Sequence, residues 1–219
     1  MPALLFDLDG TMLVSDPIHE AVFRELFAAR GVALEEDFYM RRIHGRQNRA
    51  IFAEMLPDEP DPAALDEQKE AMFRARLPRP YPAMPGLAAL VAQAEAKGWG
   101  LAIVTNAMRK NAEAMLSAIG LREAFGIIVS SDDCAHGKPD PAPYRQAMRL
   151  TGEPPAACIA FEDSAAGVRA AAAAGAYTIG IRSALDDATL RAAGAVASIQ
   201  DFEDPALPDH LARLEGGPT

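Results

Sequence analysis

Two carboxylates, Asp7 and Asp9, stand one residue apart at the end of the apolar run Leu4-Leu5-Phe6 and are followed by Gly10-Thr11. A second acidic pair, Glu162-Asp163, ends another apolar run at Ala157–Phe161. A hydroxyl and an amide, Thr105 and Asn106, follow Gly100–Val104, and a lysine sits in Gly137-Lys138-Pro139-Asp140-Pro141. Gathered on one rim, four acids repel one another. A hard divalent cation relieves that repulsion, since Mg²⁺ favours carboxylate oxygens and substrate phosphate. The residue types suit phosphoryl transfer. A carboxylate can attack phosphorus and form an acyl phosphate. A cation and a lysine offset the charge that opposes the attack. A second acid can protonate the leaving oxygen and then act as base on water. Thr105 and Asn106 can donate to phosphate oxygens, and Gly10 lets the chain turn sharply off its strand.

These groups meet only if the elements carrying them lie side by side. Five short apolar runs read as buried strands: Ala3–Asp7, Gly100–Thr105, Gly126–Ser130, Ala157–Glu162 and Ala176–Ile181. Helical periodicity lies between or beside them over Gly86–Lys97, Met108–Ile119, Pro141–Leu150 and Ser164–Ala174. Gly98, Gly120 and Gly175 mark stops, and Asp140 before Pro141 is a candidate N-cap. Alternating strands and helices imply right-handed crossovers and an α/β fold. The core is a Rossmann-like parallel sheet of about five strands with helices on both faces. In such sheets ligands bind at the carboxyl ends of the strands, where the polar groups above fall.

From about Pro17 to Pro80 no strand is expected. Helical patterns run over Ile18–Arg30, Arg49–Leu56 and Ala63–Leu77, and the prolines at 78, 80, 82 and 85 read as a stiff connector. The expected division is a core of residues 1–16 and 81–219 with a helical domain of residues 17–80 inserted after the first strand. After Gln200 the sequence predicts a short helix and a frayed tail over 216–219.

With 219 residues, a net charge of −10 and half its residues hydrophobic, the chain reads as a soluble globular protein with no basic face for nucleic acid. No apolar run approaches the roughly 20 residues of a membrane span, and no signal peptide is read at the N-terminus. The two cysteines, Cys134 and Cys158, form no disulfide framework, so a reducing cytoplasm is the expected compartment. A monomer is adequate for this size, with a dimer left open.

Phe6-Asp7-Leu8-Asp9-Gly10-Thr11, Ile103-Val104-Thr105-Asn106, Gly137-Lys138-Pro139-Asp140-Pro141 and Phe161-Glu162-Asp163-Ser164-Ala165-Ala166-Gly167 resemble, in order, the four motifs of the haloacid dehalogenase superfamily. The insertion resembles the helical cap of the subgroup that holds phosphoglycolate phosphatases, small sugar phosphatases and β-phosphoglucomutase. The resemblance implies a Mg²⁺-dependent phosphatase acting on a small phosphorylated metabolite through an aspartyl phosphate. Asp7 would be the nucleophile and Asp9 the general acid/base. Thr105, Asn106 and Lys138 would join Asp7 in binding the phosphoryl group. The metal would be held by Asp7, Asp9, Glu162 and Asp163, with Glu162 acting directly or through water. The acid at position 9 argues against a dehalogenase, whose halide leaves without a proton. Val14 stands where the subgroup often has an acid.

In the helical domain the candidates for touching substrate are His19, His44, Gly45, Arg46 and Arg49, since arginines clamp anionic or hydroxylated groups. The alternative reading is a phosphosugar mutase of the β-phosphoglucomutase type. Its non-reacting phosphate would need a cap arginine and lysine. Those positions fall near Asn48 or Arg49 and, less securely, on Lys69.

Overall fold

The computed structural model describes residues 1–44 and 46–215. Gly45 and the expected tail over 216–219 lie outside the described residues. The chain divides into two compact units: Met1–Val14 with Arg79–Thr219, and Ser15–Pro78.

The first strand, β1 (Ala3–Phe6), leads into the helical unit. That unit holds α1 (Asp16–Ala28), α2 (Asn48–Met55) and α3 (Pro62–Arg76). Each lies within two residues of the stretch its periodicity predicts. A single π-helical turn over Tyr39–Ile43, not foreseen from the sequence, joins α1 to α2. Phe23, Phe27, Phe52 and Phe73 are buried and form this unit's own core. Asp61 caps α3 by accepting from the Ala64 N–H at 2.9 Å, with Pro62 in the first turn.

The other unit continues through α4 (Leu87–Ala96), β2 (Gly100–Val104), α5 (Arg109–Ala118), β3 (Ile127–Val129), α6 (Ala142–Thr151), β4 (Cys158–Glu162), α7 (Ala165–Ala173), β5 (Tyr177–Ile181), α8 (Asp187–Ala193), β6 (Ala197–Ile199) and α9 (Leu207–Glu215). The six strands are all parallel, in the order β3-β2-β1-β4-β5-β6. β6 is one strand more than expected. It is a three-residue edge strand, too short for its alternation to stand out from the surrounding alanines. α8 was also not foreseen; Asp186 caps it by accepting from Thr189 N–H, and Gly194 ends it with φ +118°. The proline segment is tied into this unit by Tyr81 N–H to Ala118 O at 2.9 Å and Met84 N–H to Met12 O at 2.7 Å.

β1 lies between β2 and β4, so both its edges are paired and all four residues are fully buried. A strand in that position must be a continuous apolar run, which is why Ala-Leu-Leu-Phe shows no alternation. One face of the sheet carries Ala3, Leu5, Ala102, Val104, Cys158 and Ala160 against Tyr144, Ala147 and Met148 of α6 and the alanines of α7. Phe6 and Phe161 belong to the other face; their rings stack at 5.1 Å, and Phe202 lies edge-on to Phe161 at 5.2 Å. The strand order reverses direction across β1 and β4, so a crevice opens beyond their carboxyl ends.

Candidate active site

Register sets the centre of the site. Phe6 pairs with Ile103 on β2 and Phe161 on β4, and Asp7 N–H continues the ladder to Phe161 O at 3.0 Å. Side chains alternate across a strand. Asp7 therefore follows Ala3 and Leu5 to the α6 face, as Glu162 follows Cys158 and Ala160. The two acids share a face, and Asp163 takes the opposite one. Asp7, Glu162 and Asp163 are 7%, 0% and 4% exposed, and an oxygen from each falls within 4.8 Å of the other two.

Lys138 answers the repulsion between the first two. Its ammonium donates to Asp7 Oδ1 at 2.5 Å and to Glu162 Oε1 at 2.5 Å. Burial acts to lower the lysine, but the Asp7 and Glu162 charges outweigh it and hold the ammonium well above its ordinary value. Asp7 is pushed up from the usual carboxylate range, first by burial and then by Glu162, and the pull of Lys138 does not cancel the rise. One monovalent cation is thus insufficient for three buried carboxylates.

The loop carrying Lys138 is pinned at its backbone. Lys138 N–H donates to Asn106 Oδ1 at 2.8 Å, and Asn106 Nδ2 donates to Lys138 O at 3.1 Å. The loop enters α6 at Asp140, which accepts from Ala142 N–H at 2.8 Å. Thr105 is buried next to Asn106. Its Oγ1 accepts from Ala107 N–H at 3.0 Å, which leaves its own proton to be donated onward.

Asp9 is half-buried in a tight reversal after β1, in which Gly10 N–H donates to Leu13 O and Met12 N–H to Leu8 O. Gly10 has φ +75°, and a Cβ there would lie 2.0 Å from Asp163 Oδ2. Only glycine lets the turn pass so near that carboxylate.

Two residues around these groups were missed by sequence reasoning. Tyr144 on α6 is fully buried and donates to Glu162 Oε1 at 2.7 Å, with its ring 5.4 Å from the Lys138 ammonium. Ser183, beyond β5, donates to Asp163 Oδ2 at 3.2 Å. Tyr144 lay within view as the aromatic six residues after Lys138. Ser183 had only its place past a strand's carboxyl end. Ser164 caps α7 by accepting from Gly167 N–H at 3.0 Å and donates to Glu162 Oε2 at 3.3 Å.

The donor set fits a hard divalent cation. Its three carboxylates are nearly dry, and one already carries an elevated proton affinity that a metal would suppress.

In the helical unit, the His19 ring stacks on Phe73 at 3.9 Å, and its Nδ1 lies 2.9 Å from Lys69 Nζ. Lys69 is 3% exposed and also donates to Glu70 at 2.8 Å. Asn48 donates to Asp66 and Glu70. His44 pairs with Asp16 at 3.5 Å, and Tyr39 donates to the other Asp16 oxygen at 2.6 Å. The hydrogen bond to Asp16 raises His44 above the ordinary imidazole value against a smaller effect of burial. Arg46 is exposed and donates to Glu54 at 2.7 Å; Arg49 is exposed in the first turn of α2.

The model of the haloacid dehalogenase-like hydrolase family matches residues 1–175, from β1 through α7. The chain is similar to protein CbbY of Rhodobacter capsulatus, 35% identical over 187 residues that cover 80% of this chain and 82% of that protein. It is similar to fructose-1-phosphate phosphatase YqaB of Escherichia coli (strain K12), 31% identical over 186 residues, covering 82% and 95%. The crystal structure of CbbY from Rhodobacter sphaeroides in complex with phosphate matches with a TM-score of 0.80 at 31% identity, over 92% of this chain and 95% of that one. The buried carboxylates, the lysine that bridges two of them and the glycine turn after β1 all fall within the matched span, and the chain belongs to the haloacid dehalogenase-like hydrolases.

Proposed function

We propose that the protein is a Mg²⁺-dependent phosphatase of a small phosphorylated sugar, working through an aspartyl phosphate on Asp7. The observation that carries this reading is Lys138, which grips Asp7 Oδ1 and leaves Oδ2 to attack. Attack forms the Asp7–phosphorus bond and breaks the bond from phosphorus to the sugar oxygen. Asp9 gives that oxygen its proton and then takes one from the water that hydrolyses the acyl phosphate. Thr105 donates to a phosphoryl oxygen, and Lys138 stabilises the developing charge. Asp7 and Asp163 would hold Mg²⁺, with Asp9 and Glu162 completing its surroundings. When bound, the cation neutralises charge between nucleophile and phosphate.

Relatives named as phosphatases support hydrolysis, and one of them is named for a ketose 1-phosphate. Transfer to a second position on the sugar would need a cap lysine to hold the idle phosphate. Lys69 is buried against His19 and Glu70, which favours hydrolysis. The free thiols of Cys134 and Cys158 agree with a cytoplasmic setting. Among the described residues no helix is long and apolar enough to cross a membrane.

The test is a panel of phosphorylated sugars and phosphoglycolate with purified protein and Mg²⁺. Release of inorganic phosphate from a sugar phosphate is expected. An isomerised sugar phosphate would mark a mutase, and no turnover on any member would overturn the reading.

A further inference from the structure

We propose that Asn106 and Tyr144 are positioning residues for Lys138, one fixing its backbone and the other fixing the carboxylate that receives its ammonium. The inference rests on the phosphatase reading for its kinetic consequence alone; the geometry stands apart from it. A lysine has four rotatable side-chain bonds and a mobile head, so a lysine that must meet one oxygen has to be held at both ends.

The near end is held by the reciprocal pair between the Asn106 amide and the Lys138 N–H and C=O, at 2.8 and 3.1 Å. The amide oxygen and one of the two amide N–H groups are thereby engaged by the lysine's own peptide groups. Asn106 follows Thr105 directly, so the same pair sets the spacing between the hydroxyl at the end of β2 and the lysine loop. This task is additional to any donation to phosphate by the second amide N–H.

The far end is held through Glu162. Its Oε1 takes the Lys138 ammonium at 2.5 Å and the Tyr144 hydroxyl at 2.7 Å. The tyrosine is fully buried, and its ring packs in the core with Ala147 and Met148. It is therefore a rigid donor that fixes where Oε1 sits. Lys138 and Tyr144 also share one segment, the loop and first turns of α6, so the brace moves with the lysine.

The brace matters most midway through turnover. Once Asp7 is bonded to phosphorus its carboxylate charge is gone; Lys138 then faces the phosphoryl oxygens and Glu162, of which Glu162 is the anion that stays with the protein. Loss of the tyrosine hydroxyl should slow the chemical steps more than it weakens substrate binding.

The experiment uses the full-length protein with two variants on different elements, Tyr144→Phe and Asn106→Ala. The first readout is kcat and KM on the sugar phosphate found by the panel. The second is the rate at which Lys138 in the folded protein is acetylated by an N-hydroxysuccinimide ester, followed by peptide mass spectrometry. Lys69, buried in the other unit, serves as the internal control for folding. The expected result is a fall in kcat of roughly tenfold or more at unchanged KM, with Lys138 labelled several-fold faster and Lys69 still protected. Lys138 labelling at the wild-type rate in both variants would overturn the proposal, as would a raised KM at unchanged kcat. If the wild type releases no phosphate, the functional reading fails while the labelling rates still decide the brace.

Discussion

Gly167, in the first turn of α7, lies against the carboxylate of Glu162 so closely that a Cβ there would sit 1.9 Å from Oε2. Alanine at this position should gain about 1 kcal/mol of helix propensity. It must also displace a fully buried carboxylate that holds Lys138, and overpacking costs about 1–3 kcal/mol. The clash wins because backbone, helix cap and carboxylate all meet there. Gly167→Ala is expected to lower the melting temperature and to reduce phosphate release at least tenfold. A more stable, fully active variant would show that the carboxylate has room to move.

Asp7→Asn should cut phosphate release below about a thousandth of wild type, since an amide forms no acyl phosphate. Its effect on stability should run the other way. Asp7 has a raised proton affinity in the folded protein, so the folded state binds more protons than the unfolded one as pH climbs above the ordinary carboxylate range. Stability falls with pH over that window, and the substitution removes the penalty. In buffer with chelator at pH 8, differential scanning fluorimetry should find the variant melting at or above wild type. A clearly lower melting temperature would mean that Asp7 stabilises the cluster rather than straining it.

Magnesium should be required for turnover and should also stabilise the fold, because an ion that binds only the folded site raises stability by mass action. Millimolar Mg²⁺ is expected to raise the melting temperature of wild type by several degrees. Asp163→Asn, which removes a carboxylate from the dry cluster, should abolish most of that shift. Phosphate release that persists in excess chelator would count against the metal.

His44 gives the helical unit a pH dependence of its own. Its hydrogen bond to Asp16 raises its proton affinity on folding, so the pair's contribution is fully present below the unfolded value near 6.5. It is lost as pH rises through the elevated folded value. Melting curves from pH 5.5 to 8.5 should show wild type losing stability over that window relative to His44→Gln. Parallel curves would remove the pair from the balance.

The strands that bear the site could be read because both faces of a central parallel sheet are buried, and Ala3–Phe6 or Cys158–Glu162 then has no polar interruption to confuse it. The rim residues followed from where those runs stop. Which way the acid that ends β4 and the acid after it point was less accessible. Strand pleat requires Glu162 and Asp163 to diverge, but the partner that claims Glu162 is Tyr144, a side chain of α6 brought over by packing. The Asn106 pair with Lys138 was hidden for the same reason, since thirty-two residues separate them and no local pattern marks an amide that serves a distant peptide group. In the helical unit, Asp16 lies far in sequence from Tyr39 and His44, and the π turn that aligns the last two leaves no periodic trace.

The place of β1 at mid-sheet has a consequence for biosynthesis. Among the described strands it comes first in the chain, yet the strands that flank it begin at Gly100 and Cys158. At translation rates of about 5–20 residues per second, the wait for the second neighbour is on the order of ten seconds. Throughout that interval Ala-Leu-Leu-Phe lacks at least one of its two neighbours, while Ser15–Pro78, contiguous in sequence, has been made whole. The strand that leads to Asp7 is therefore complete on both edges only once Cys158–Glu162 has been made.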